Sequence, residues 1–171
     1  MHKVNKSSYI AKGGLFTAVG VILVYLSTII PVNKLFLLVI ASCIIPLCVI
    51  DSGLKSALTV YVSTSLLSLL IGGIKSSVIL YIIFFGLYGI VKYYIEKLRK
   101  LYIELLLKLV FFNSCIVFMY LTYRLFVTNL FKFKIPFYWI LILMQIVFIL
   151  YDYAVTLFIN YVYNRFHKKR Y

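Results

Sequence analysis

The chain has 171 residues, of which 64% are hydrophobic, and it carries a formal charge of +14 with only four acidic side chains. A soluble domain holds about 45–50% apolar residues even with glycine counted, so the composition excludes a soluble catalytic module and marks an integral membrane protein. No polar block is long enough to fold separately, and residues 1–171 read as a single membrane domain.

Crossing the hydrocarbon core takes about 20 mainly apolar residues, and the charges and prolines cut the chain into six spans, at 13–30, 35–50, 54–72, 76–95, 104–128 and 136–163. In lipid each backbone must satisfy its own hydrogen bonds, so each span is predicted to be a helix. The fold class is therefore all-α, a polytopic bundle of six transmembrane helices. The start, "MHKVNKSSYIAKGG", has the charged region of a signal peptide but no small-residue cleavage site follows it, and it reads as the lead into an uncleaved first span. Gly14 and Ala18 in that span form a small-xxx-small pair, suited to close contact with another helix. The second span is the shortest and contains Pro46. At the junction "DSGLK", Asp51 or Ser52 is placed to cap the third span, with Lys55 four residues after Asp51.

In the third span Tyr61, Thr64, Ser65, Ser68 and Gly72 fall on one helical face, the pattern of a packing surface in lipid. The connection Lys92 to Leu105 is amphipathic, with Tyr94, Leu98, Leu101 and Leu105 at helical spacing, and reads in two ways. It is either a helix lying along the interface as a docking surface or a helical link between spans. In the last span Gln145, Asp152, Thr156 and Tyr163 project to one side. An acid at that depth costs about 2.5–3.5 kcal/mol when charged at a helix centre. Asp152 must face the bundle, either neutral or paired, as a structural acid or as a ligand contact. Arg124 lies towards the outer end of the fifth span and Lys108 towards its inner end, so no cation is obvious; Asn113 and the tyrosines supply hydrogen-bond donors.

The positive-inside rule orients the set. With the N-terminus in the cytoplasm, the inner side takes Lys3, Lys6, Lys12, Lys55, Lys92, Lys97, Arg99, Lys100, Lys108, Arg165, Lys168, Lys169 and Arg170 of the eighteen basic residues. Lys34, Lys75, Arg124, Lys132 and Lys134 remain outside, so both termini are predicted to be cytoplasmic. Trp139 and Tyr138, with Tyr161 and Tyr163, suit the two aromatic belts. Basic residues gathered at span ends bind anionic lipid rather than nucleic acid.

No Walker site, HExxH, GxSxG or Ser/His/Asp set is present, and the chain is expected not to be an enzyme. Cys43, Cys48 and Cys115 lack ligand spacing and read as small core residues; His2 and His167 are isolated, so no metal or cofactor is indicated.

Six short helices with both ends inside, a length near 170 residues, the Gly14/Ala18 pair, and the stretches "YLSTIIPVNKLFLLVIASCIIPLCVIDSGLKSAL" and "LYIIFFGLYGIVKYYIEKL" together resemble the S component of energy-coupling-factor transporters and related small membrane proteins of low-GC Gram-positive bacteria. The resemblance implies a multi-pass protein of the bacterial cytoplasmic membrane that captures a vitamin or similar small-molecule solute from outside. It also implies docking on a transmembrane scaffold subunit that works with separate ATPase subunits. Gly14 and Ala18 would be the docking residues, although S components often carry a fuller Ala-xxx-Ala pattern. The family's outward cavity would draw here on Lys34, Lys75, Arg124, Gln145 and Asp152. The alternative reading is a non-catalytic envelope scaffold or assembly protein that recruits partners through 92–105 and the basic tail.

Overall fold

A computed structural model describes residues 6–98, 100–126 and 137–167, and among these every regular element is helical. In chain order they are α1 (Lys6–Ile29), α2 (Lys34–Ser52), α3 (Leu54–Gly72), α4 (Ser76–Leu80), a π-turn (Tyr81–Phe85), α5 (Gly86–Glu96), α6 (Leu101–Phe126) and α7 (Phe137–His167). Counting α4, the π-turn and α5 as one rod, six helices are long and apolar enough to cross a membrane. This is the expected multi-pass, all-helical architecture. Arg99, Lys132, Lys134 and the basic tail from Lys168 lie outside the described residues, as do the side chains of Arg124, Tyr138, Trp139 and His167.

The expected boundaries shift in two informative places. The second span is a full 19-residue helix with Pro46 inside it. Proline forfeits one backbone hydrogen bond and crowds the preceding turn, yet here the ring is buried and packs where α5 presents Gly89. The other shift concerns 92–105, which is not one interfacial helix. α5 ends at Glu96, a turn covers Lys97 and Leu98, and α6 starts at Leu101. The apolar spacing there is shared between the ends of two helices.

The sequence reads as one domain; contacts divide the chain into two units, Met1–Lys97 and Leu98–Tyr171. In the first, α1 packs on α2 and α3, and α5 packs on α2 and α3. A core of Ile44, Ile45, Cys48, Ala57, Val60 and Ile90 fills the centre. Many large apolar side chains, such as Leu15, Leu70 and Ile71, face outward, as a lipid-solvated surface requires. Lipid is as apolar as leucine, so close packing and polar contacts, not exclusion of water, hold such helices together.

Gly53 alone joins α2 to α3, with φ of 84°. That left-handed value suits glycine, which lacks the Cβ that strains other residues there. Asp51 does not cap α3, whose N-cap position is Gly53 and has no side-chain cap. Its carboxylate instead accepts from Lys12 Nζ of α1 at 2.8 Å and from Ser52 Oγ at 2.9 Å. Exposed pairs of this kind contribute about 0.2–1 kcal/mol, and Lys12 is half exposed. Asp51→Asn should therefore lower stability by no more than about 1 kcal/mol, read from the thermal midpoint in detergent. A larger loss would show that the pair sets the α1/α2 register.

The second unit is the antiparallel pair α6 and α7, joined by side chains. Phe112 stacks on Phe148 with ring centroids 4.4 Å apart and planes 8° from parallel. Four residues down α6 from Phe112, and four up α7 from Phe148, stand Lys108 and Asp152. The matched four-residue steps bring those two side chains to the same level.

Candidate functional site

Among the described residues, three groups of side chains stand out as candidate sites. The first is a groove of about 570 Å³ between α1 and α3. α1 contributes Gly13, Gly14, Thr17 and Ala18; α3 contributes Ser56, Thr59 and Ser63. These side chains are small, and Tyr9, Ile10, Val60 and Leu67 complete the lining, so the small-residue stretch is flanked by larger apolar groups. A Cβ built on Gly14 meets nothing within 4 Å, and Ala18 is exposed. A trough of this composition admits another helix at close range, where van der Waals contact does the work. Two of its hydroxyls are taken up within their own helices, Thr17 and Thr59 bonding back to the carbonyls of Gly13 and Lys55 at 2.9 and 3.1 Å.

The second group is the seam of the α6/α7 unit. Lys108 Nζ donates to Asp152 Oδ2 at 2.9 Å, with Lys108 about nine-tenths buried and Asp152 about four-fifths. Lys108 is therefore the cation that sequence inspection leaves unassigned. Hydropathy counting places it near the inner end of its span, but the phenylalanine stack aligns it with Asp152. On the side of that stack away from the ion pair, Gln145 Nε2 donates to Asn113 Oδ1 at 2.9 Å. A crevice of about 170 Å³ opens beside the ion pair, walled by Glu104, Leu105, Phe148 and Ile149. Both Gln145 and Asp152 are thus engaged across α6 and α7.

The third group lies inside the first unit. Thr64, Ser65 and Ser68 are buried on the face of α3 that the sequence marks as a packing surface, and Tyr61 of the same face is half buried. The Tyr61 hydroxyl donates to the carbonyl of Ile82 in the π-turn at 2.9 Å. Further along the same rod, Lys92 of α5 is 1% exposed and bonds Glu96 Oε1 at 2.8 Å, with its ammonium 5.8 Å from the Tyr88 ring centre. The sequence pattern counts Lys92 as an interfacial charge; its burial follows from the α5 face that carries Tyr88, Lys92 and Ile95 inward.

The remaining proposed site residues are placed as follows. Lys34 is the first residue of α2 and Lys75 the N-cap residue of α4, both exposed. They share one end of the first unit, where Ser77 Oγ donates to the carbonyl of Ser27 near the end of α1 at 3.3 Å. Arg124 stands in the last turn of α6. Comparison with known protein families, with characterised proteins and with solved structures finds no match.

Proposed function

We propose that this chain is a non-catalytic subunit of a membrane assembly, that it docks through the α1/α3 groove, and that its role is solute binding in an uptake transporter, as the S component performs it. The observation that carries the docking reading is the open trough at Gly14 and Ala18. Small residues on an outward face give up lipid contact with nothing in return unless another helix fills the space. The solute would be taken from outside, and separate ATPases, reached through the docked scaffold, would drive its release.

One observation favours a second reading, envelope scaffolding. Gln145 and Asp152, the deepest of the proposed solute contacts, are already bonded to Asn113 and Lys108. Under that reading the segment from Lys92 to Leu105 and the basic tail recruit envelope assembly proteins and no solute is bound.

Purification from the native membrane, with mass spectrometry of co-purifying proteins and small molecules, separates the two. Transport requires a scaffold subunit with ATPases; cell-wall proteins alone overturn it. Gly14→Leu tests the groove itself. The added side chain starts into open space, with no atom of a neighbouring helix within 4 Å of its Cβ, so the variant should fold with an unchanged thermal midpoint while losing at least about 90% of the co-purifying partner, equivalent to about 1.4 kcal/mol or more. Retention of the partner at the wild-type level would refute docking at this face.

A further inference from the structure

Of the four acidic side chains in the chain, three have a lysine partner: Asp51 with Lys12, Glu96 with Lys92 and Asp152 with Lys108. Glu104 pairs with no cation among the described residues. It stands in the first turn of α6, where the helix dipole favours a negative charge, and it is partly buried although Ile103 and Leu105 on either side of it are exposed. Its face explains that. Glu104 precedes Lys108 by four residues, so both lie on the side of α6 from which Lys108 reaches Asp152 of α7.

The crevice of about 170 Å³ beside the ion pair is lined by Glu104, Lys108 and Asp152, and otherwise by leucines, Phe148 and Ile149. Two carboxylates thus face one ammonium, an excess of one negative charge. Charge left uncompensated in an apolar setting is heavily penalised, and the occupant that complements this crevice is a cation. Its size is bounded as well. Pockets for whole solutes run to about 300–1,000 Å³, so a ligand here seats only a small end group. At the rim Leu101, Leu105 and Ile149 are 81%, 54% and 47% exposed, an apolar surface of the kind that lipid solvates. A cationic end on an apolar body fits both halves of this lining.

We propose that this crevice binds the ammonium group of an aminophospholipid headgroup, such as that of phosphatidylethanolamine, and that Glu104 is the carboxylate that receives it. A primary ammonium has three N–H donors, and its hydrogen bonds to a carboxylate are charge-assisted. A quaternary ammonium has no N–H to give. The depth fits a headgroup. Leu101 opens both α6 and its membrane-spanning stretch, and Glu104 and Lys108 lie about 4.5 and 10 Å further along at the helical rise, close to where hydrocarbon gives way to a headgroup zone about 5–8 Å thick. Lys100, exposed and joined to Glu104 by the bond from the Glu104 N–H to its carbonyl at 2.9 Å, stands one turn away as a partner for the phosphate. A metal ion is served less well, since no group of three His, Cys, Asp or Glu side chains gathers among the described residues. The crevice belongs to the α6/α7 unit, so the inference stands whichever partner docks on the α1/α3 groove.

Native mass spectrometry of the whole protein in detergent, titrated with phosphatidylethanolamine, phosphatidylcholine and phosphatidylglycerol of identical acyl chains, tests the assignment. Phosphatidylethanolamine should be retained at least about tenfold more than phosphatidylcholine, the ratio expected of hydrogen bonds to a charged group. Glu104→Gln, which keeps the side-chain shape, should erase that preference and leave retention of phosphatidylglycerol, held by exposed basic residues, unchanged. Equal retention of the ethanolamine and choline lipids by the wild-type protein would overturn the site, and this comparison needs no variant. So would a Glu104→Gln protein that keeps the wild-type preference, or one that loses all three lipids alike, which would give Glu104 a structural role only. Soluble O-phosphoethanolamine, the headgroup without its chains, should not displace the bound lipid when added in equal amount. Displacement would make the crevice a site for free amines and refute the lipid.

Discussion

Asp152→Lys is expected to abolish accumulation of folded protein in the membrane, and Lys108→Asp added to it is expected to restore most of the yield. The wild-type pair holds its charges 2.9 Å apart between α6 and α7. Reversing one charge places two ammonium groups at that distance in a medium that screens them poorly. Removing one partner of a buried pair costs about 3–5 kcal/mol; the lower end applies here because Asp152 is about one-fifth exposed. Asp152→Asn is milder, since the amide oxygen still accepts from Lys108, and this variant should insert and fold. The readouts are membrane yield and detergent-extracted monodispersity for the two single substitutions at Asp152, for Lys108→Asp alone and for the double swap. Normal yield of the Asp152→Lys variant would mean that the seam is wetter than its burial indicates. Failure of the double swap to recover, with both charge-reversal variants defective, would mean that the helices read the order of charges and not only their opposition.

Gly89→Ala should destabilise the first unit by about 1–3 kcal/mol, while Gly14→Ala should be neutral or stabilising by up to about 1 kcal/mol. The substitution is chemically identical and the expected signs are opposite. A methyl group on Gly89 would sit 2.8 Å from Pro46 Cδ and 3.1 Å from Ile45 Cβ, atoms fixed to the α2 backbone. Neither can swing aside, so α5 would have to retreat from α2. At Gly14 the same methyl enters open space, and only the gain in helix propensity remains. Thermal midpoints of the two variants in one detergent distinguish the outcomes. If Gly89→Ala proves no less stable than Gly14→Ala, the close approach of α5 to Pro46 is not a constraint on this fold.

The glycine and proline also show where sequence reading reaches its limit. Pro46 makes the second span look short and doubtful, because proline ordinarily breaks a helix. What permits it is Gly89, forty-three residues later, and no local pattern links the two. The hydroxyl face of α3 is legible as a face, since Thr64, Ser65, Ser68 and Gly72 recur at helical spacing and all are buried. That the Thr64 hydroxyl turns to Tyr81 is not legible, because rotamer choice depends on neighbours such as Gly20 and Tyr81, which arrive from other helices. Asp51 reads as a helix cap from its position in "DSGLK"; the local pattern is overruled by Lys12, delivered by the packing of α1 on α2. Asp152 is recognisable as a residue that needs an inward-facing partner, but nothing in the hydropathy of the fifth span singles out Lys108 as that partner.

By itself the sequence determined the number of helices, their approximate limits and the uneven distribution of charge along them. Those properties follow from transfer of local segments into an apolar medium, and each segment carries its own hydropathy and its own charges. Only the tertiary structure decided which polar side chains meet, which small residues are covered and which, like Gly14 and Ala18, stay open. Lipid solvates apolar side chains as well as neighbouring helices do, so helix register is chosen by shape and by a few paired polar groups. Shape complementarity between helices distant in the chain leaves no trace in the hydropathy of either one.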